Sequence, residues 1–112
     1  MKIIRLDEIP EEAVSHNPRV KKKVLLRTGE VSSLATFARA VFPPGEIAGA
    51  HSHERMSEVF FIESGTGIIR VDGKEYGLEA GTCVAVLPGE THEVVNSGQE
   101  DLVIIYFGVI AE

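Results

Sequence analysis

Four side chains able to bind a metal recur at fixed spacing in the middle of this chain. The first run reads Gly45-x5-His51-x-His53-x4-Glu58-x6-Gly65. After a 15-residue gap comes Gly81-x5-Leu87-Pro88-Gly89-x2-His92-x3-Asn96, so the pattern holds three of the four histidines. Neutral imidazoles and a carboxylate are the donors that borderline divalent metals favour. A lone histidine is more often a loop residue or a satisfied core residue, but chance rarely reproduces this many positions together.

To act together these groups need short strands to carry them. Helical periodicity is nearly absent; the stretch Leu6–Ser15, with Pro10 before two glutamates, is expected to form a helical turn or two. From Lys23 onward the sequence predicts strands near Val24–Thr28, Ser33–Phe42, Glu58–Ser64, Gly67–Val71, Lys74–Leu78, Thr82–Leu87, His92–Asn96 and Leu102–Phe107. The breaks carry turn chemistry. Asp72-Gly73 suits a type I′ hairpin. Leu87-Pro88-Gly89-Glu90 suits a type II turn, and Pro43-Pro44-Gly45 ends a long strand before the first histidine. On a strand, His51 and His53 would share a face. His92 and Glu58 would each open a neighbouring strand, so the four donors converge at a barrel mouth.

The strand Leu102–Phe107 is apolar on both faces, unlike a sheet with one face in water. One face is therefore expected to fill a barrel and the other to be covered by a second sheet or another subunit, which makes a homodimer the expected assembly.

Composition narrows the classes. A chain of 112 residues is expected to form one domain, spanning 1–112, with an N-terminal arm over 1–23. The net charge of −6 argues against nucleic acid as a partner. The basic run Arg19, Lys21, Lys22, Lys23 and Arg27 reads first as a solvated, lysine-guarded edge strand, and second as a site for an anionic substrate. No signal-peptide pattern, no apolar run of about 20 residues and a single cysteine together predict a cytoplasmic protein without membrane contact.

The two spaced runs resemble the paired motifs of the cupin superfamily, G-x5-H-x-H-x3,4-E-x6-G and G-x5-P-x-G-x2-H-x3-N. The first is matched at every named position from Gly45 to Gly65. In the second, Leu87 stands where the family has proline and Pro88 follows it, a local change within a turn. The motifs lie within 45–96, residues 24–44 and 97–110 agree with the flanking strands, and 1–23 are not covered. The resemblance implies an all-β, double-stranded β-helix (jelly-roll barrel). It also implies a metal ligated by His51, His53, Glu58 and His92. Three imidazoles and a carboxylate would leave two positions of an octahedral ion open, which is what a catalytic rather than a structural site needs. Fe, Mn, Ni, Co and Zn all suit these donors.

Two functions follow as expectations. The first is a metal-dependent enzyme, oxygenase- or isomerase-like or a lyase, acting on a small organic acid or carbonyl compound. The second is a non-catalytic module that binds or senses a small molecule. Other residues have a place in either. Phe60 and Ile62 share a face with Glu58 and are expected to line an apolar pocket with the metal at its base. Tyr106 is expected to point inward, either as a core residue with its hydroxyl at the rim or as a partner of the metal site. Arg39, the one charge in its strand, is read as an interface residue, and Met56 and Ser57 as shaping the pocket entrance. Asn96 is read as a turn residue, Cys83 as a small buried apolar group and His16 as an exposed loop residue.

Overall fold

A computed structural model describes residues 1–111. Ten strands follow one 3-10 turn at Leu6–Glu8: β1 (Glu12–Val14), β2 (Asn17–Leu26), β3 (Leu34–Phe42), β4 (Ile47–His51), β5 (Met56–Ser64), β6 (Thr66–Val71), β7 (Lys74–Glu79), β8 (Cys83–Val86), β9 (His92–Val95) and β10 (Leu102–Ile110). They form a six-stranded sheet, ordered β1-β2-β3-β10-β5-β8, and a four-stranded sheet, ordered β4-β9-β6-β7. Every pairing is antiparallel. The chain crosses repeatedly between the sheets, which makes this a double-stranded β-helix. Among the described residues no helix is long and apolar enough to cross a membrane.

Period-two patterning builds the core. Phe42, Ile62, Leu102 and Ile104 from the larger sheet pack with Ile69, Leu78 and Val94 from the smaller one. Each such side chain contributes about 1.5–3 kcal/mol by leaving water. The outer face of β10 carries Ile105 and Phe107, both half-buried, and the Phe107 ring meets Phe37 of β3 edge-on at 6.2 Å. Arg39, on the same outer face, forks onto Glu63 of β5, donating from Nε to Oε1 at 3.0 Å and from Nη2 to Oε2 at 2.7 Å. Its charge is thus met within the chain, an outcome hidden from the sequence because the partner lies 24 residues away.

Three expectations need correction. The stretch Leu6–Ser15 is not helical beyond Leu6–Glu8, because Glu12 and Ala13 pair instead with Lys22 and Lys21. Within the N-terminal arm β1 and β2 form a hairpin, and β2 pairs with β3 from Lys21 to Leu26, so Lys21 and Lys22 of the basic run lie between two strands and not at a sheet edge, while Arg27 lies beyond β2. Cys83 is exposed, since β8 is the edge of the larger sheet and Cys83 lies opposite Phe61, which is also exposed. The sequence also gave no sign of β4, whose Gly49 and Ala50 are weak strand formers.

The expected turns are present. Asp72 and Gly73 have φ of 48° and 81°, the pair of positive angles a type I′ turn requires. Gly65 has a stricter reason to be glycine. Its φ is 88°, and a Cβ there would stand 2.3 Å from the Asp101 carbonyl oxygen, which is backbone and cannot step aside. Gly65→Ala should cost at least about 2 kcal/mol. Gly73→Asn, at a position with open space around it, should cost less than about 1 kcal/mol. Chemical denaturation of both variants checks the contrast.

Candidate metal centre

Glu58 lies near the start of β5, facing inward, and is buried although it is a carboxylate. Its Oε1 atom has the Nε2 atoms of three histidines around it: His53 at 3.1 Å, His92 at 3.2 Å and His51 at 3.4 Å. His51, Glu58 and His92 form the tightest group, with donor atoms all within 4.8 Å of one another. His53 joins through the shared carboxylate oxygen and by ring contact with His51, centroids 5.1 Å apart.

Each position follows from local structure. His51 closes β4 and stands directly across the ladder from His92, the first residue of β9. Glu58 reaches them from the opposite sheet. His53 lies two residues beyond His51, just past the end of β4, and its ring converges with that of His51 on the same carboxylate oxygen. The Leu87–Glu90 turn holds that segment: Gly89 N donates to the His53 carbonyl at 2.8 Å. The turn has the expected form, with Gly89 at φ 85° and Glu90 N donating to Leu87 O at 3.2 Å, so Pro88 serves in place of the family's earlier proline. Asn96, completely buried, donates to the carbonyls of Phe42 and Glu100, both at 2.8 Å, and accepts from Gly98 N at 2.9 Å. The expected turn is there, and the same side chain also ties β9 to the end of β3.

The orientation of the rings decides what the cluster can do. His51 Nδ1 lies 3.0 Å from the Gly49 carbonyl, and His92 Nδ1 lies 3.5 Å from the Glu90 carbonyl. A carbonyl can only accept, so in these contacts Nδ1 carries the proton and a neutral ring presents a lone pair at Nε2. Both lone pairs then face Glu58 Oε1, another acceptor. Glu58 Oε1 and His92 Nε2 are indeed buried without a hydrogen-bond partner. Buried polar atoms left this way are costly. A cation bound among them would remove the cost, and the donor set fits a divalent transition metal. Without a metal, a proton on an imidazole serves the same purpose. Burial pushes the Glu58 carboxyl up, but hydrogen bonds and charge from His51 and His92 outweigh it and bring the group down to about 2. The hydrogen bond to Glu58 raises His51 above its ordinary 6.5, against the opposing effect of burial.

The cluster opens onto a cavity of about 720 Å³ lined by Phe60, Tyr106, Met56 and Phe42, among others. Phe60 packs against His92 edge-on, with centroids 5.6 Å apart, and stacks on Tyr106 at 5.9 Å. Burial raises the Tyr106 hydroxyl to about 12, with the Glu58 and Glu12 charges adding to the effect, so it stays a proton donor. Ile62 does not line the cavity. It is fully buried in the core, one inward position beyond Phe60, where the two sheets close over it. Ser57 is absent from the lining too, because it alternates to the other face from Met56 and Glu58. His16 is exposed, as expected, but lies at the turn between β1 and β2 with φ 67° and borders the same cavity. The Nδ1 contacts with carbonyls two residues upstream were missed from sequence; the shared i−2 spacing at Gly49 and Glu90 was the available signal.

Fold and site together define a jelly-roll protein with a histidine–carboxylate centre inside its barrel. Residues 38–108 match the cupin domain family, and the chain belongs to it. The oxalate-binding protein of Thermotoga maritima is 31% identical over 105 residues, covering 89% of this chain and 87% of that protein. A crystal structure from Thermotoga maritima, described as a predicted oxalate decarboxylase, superposes with a TM-score of 0.90 at 29% identity, covering 97% of this chain and 99% of that one. KdgF from Halomonas sp. shares the fold, with a TM-score of 0.82 at 19% identity, covering 100% of this chain and 96% of that one.

These charges predict a pH signature. Stability from the depressed Glu58 is present above its ordinary 4.5 and lost as pH falls toward 2. Stability from the raised His51 is present below 6.5 and lost as pH rises through its higher folded value. Added Mn(II) should therefore raise the melting temperature of metal-free protein more at pH 7.5 than at pH 5.5. Thermal unfolding with and without the ion, at both pH values, measures this.

Proposed function

We propose that this protein is a divalent-metal cupin in which His51, His53, Glu58 and His92 hold the ion and a small organic acid or carbonyl compound is the substrate. The supporting observation is the unmet acceptor pair, Glu58 Oε1 and His92 Nε2, buried at the edge of a cavity large enough for a metabolite. A bound ion, whether Fe, Mn, Ni, Co or Zn, would polarise an oxygen of the substrate. The residues around it have separate tasks. Phe60 and Phe42 exclude water, and the half-buried Tyr106 offers a donated proton to an oxygen that gains charge. Oxygenase- or isomerase-like turnover fits this arrangement, because no second buried carboxylate stands ready among the described residues as an independent base.

A second reading, binding without turnover, is supported by the relative from Thermotoga maritima, which is named as an oxalate-binding protein. A carboxylate chelating the metal would serve either role. We further propose that the protein is cytoplasmic and that two copies pair through the outer face of the larger sheet, around its apolar residues Phe61, Ile105 and Phe107.

His92→Ala should lower metal content at least about tenfold while leaving the far-ultraviolet circular dichroism of the barrel intact. Full occupancy by elemental analysis would overturn the assignment. Mn(II)-loaded wild type should bind oxalate by calorimetry, and His51→Ala should not. Conversion of oxalate or of a 2-oxo acid, followed by product analysis, decides between turnover and binding. Phe61→Glu should shift the mass seen by light scattering from dimer to monomer.

A further inference from the structure

Among the charged residues of β2, Lys22 alone borders the cavity. Lys21 and Lys23 alternate to the outer face, where Lys23 Nζ donates to the Leu6 carbonyl at 3.2 Å. Lys22 is half-buried and makes no ion pair within 4 Å among the described residues. Its cross-strand neighbour Glu12 places its carboxylate on Arg27 instead, 2.7 Å away. The Glu12 carboxylate feels the Lys22 charge but is hydrogen-bonded to Arg27, so the Lys22 ammonium on the wall of a largely apolar cavity keeps its own donors free for an anion.

Its position separates it from the metal centre. Lys22 pairs with Ala40, Ala40 with Ile104, and Ile104 with Ile62, so Lys22 lies three strands across from β5 and in the row four residues along from Glu58. Strand geometry makes that about 13 Å along the sheet and about 14 Å across it, before the curvature of the barrel shortens the direct path. The lining near Lys22 is small, Ala40 and Ala48, and so leaves room for a ligand.

We infer that Lys22 anchors a second, distal carboxylate, so that the cavity takes an elongated diacid, one end at the metal and the other at Lys22, in preference to oxalate or a monoacid. The inference rests on the reading of the cavity as a metal-centred ligand site. The metal end holds a 2-oxo acid group or a carboxylate, Tyr106 and Ile104, which lie between the rows of Glu58 and Lys22 or beside them, pack on the aliphatic middle, and the Lys22 ammonium donates to the far carboxylate.

The test is calorimetry on Mn(II)-loaded full-length protein with 2-oxoadipate, the monoacid 2-oxohexanoate and oxalate. Wild type should bind 2-oxoadipate about tenfold or more tightly than 2-oxohexanoate, the scale of one hydrogen bond to a charged group. Lys22→Met should abolish that difference while metal content, melting temperature and oxalate affinity stay as in wild type. Lys22→Arg, which keeps the charge, should retain most of it. Oxalate binding without any preference for the diacid, or a preference that survives in Lys22→Met, would overturn the inference and leave the metal-centred reading intact. Failure of wild type to bind metal or any of the three acids would overturn both.

Discussion

A carboxylate enclosed by imidazole lone pairs is an arrangement that water-free protein cannot leave uncompensated. Glu58 is buried, and two of the three nitrogens around its Oε1, those of His51 and His92, belong to rings whose own donors point elsewhere. For His92 and His51, acceptor facing acceptor at 3.2 and 3.4 Å needs a positive charge between them, a proton or a metal. Much of the surrounding structure serves to keep this crowded state from relaxing. The ring of His92 is clamped between Phe60 and His51, with centroids 5.6 Å and 4.3 Å away, so it cannot turn outward to find a partner. A site that cannot collapse onto itself stays ready for an ion.

The clamp depends on backbone more than on side chains. His51 and His92 face one another because β4 and β9 pair there, and the ladder is irregular between Ala48 and His51, which re-aims the end of β4. Asn96 ends β9 and bonds the carbonyl of Phe42, while Gly45 N donates to the Asn96 carbonyl at 3.0 Å and Asn96 N to that of Glu46 at 3.0 Å. The entry to β4 is thereby fixed to the exit of β9. At the other end, Gly89 N fixes the His53 carbonyl. The motif's glycines, asparagine and proline thus act as one frame for the histidines, although none of them can ligate a metal through its side chain.

What could be read from residue order was whatever local chemistry determines. The two-residue turn at Asp72-Gly73, the Pro88-Gly89 turn and the inward period of Glu58 and Phe60 each depend on neighbours in sequence, and each is found. Two kinds of information were not local. Ile62 shares the face of Glu58, but whether that face lines a cavity or closes into core depends on how the second sheet curves over it. The Arg39–Glu63 fork and the pairing of β1 with β2 depend on which segments become neighbours.

The family match and the cavity do not cover the same residues. Residues 38–108 include every donor of the proposed centre, and so the likeness to other cupins bears on the metal. The opposite end of the cavity is built by Val14, Ser15, His16 and Lys22, all before residue 38. Two cupins can keep the same donor geometry and differ in ligand simply because the hairpin laid across the barrel differs. In this chain that hairpin brings the Lys22 ammonium, without a direct ion pair, to a mostly apolar wall, where it would discriminate between ligands by charge as well as by size. On the inference drawn from Lys22, metal choice and ligand choice would rest on different stretches of the sequence, and each could change without disturbing the other.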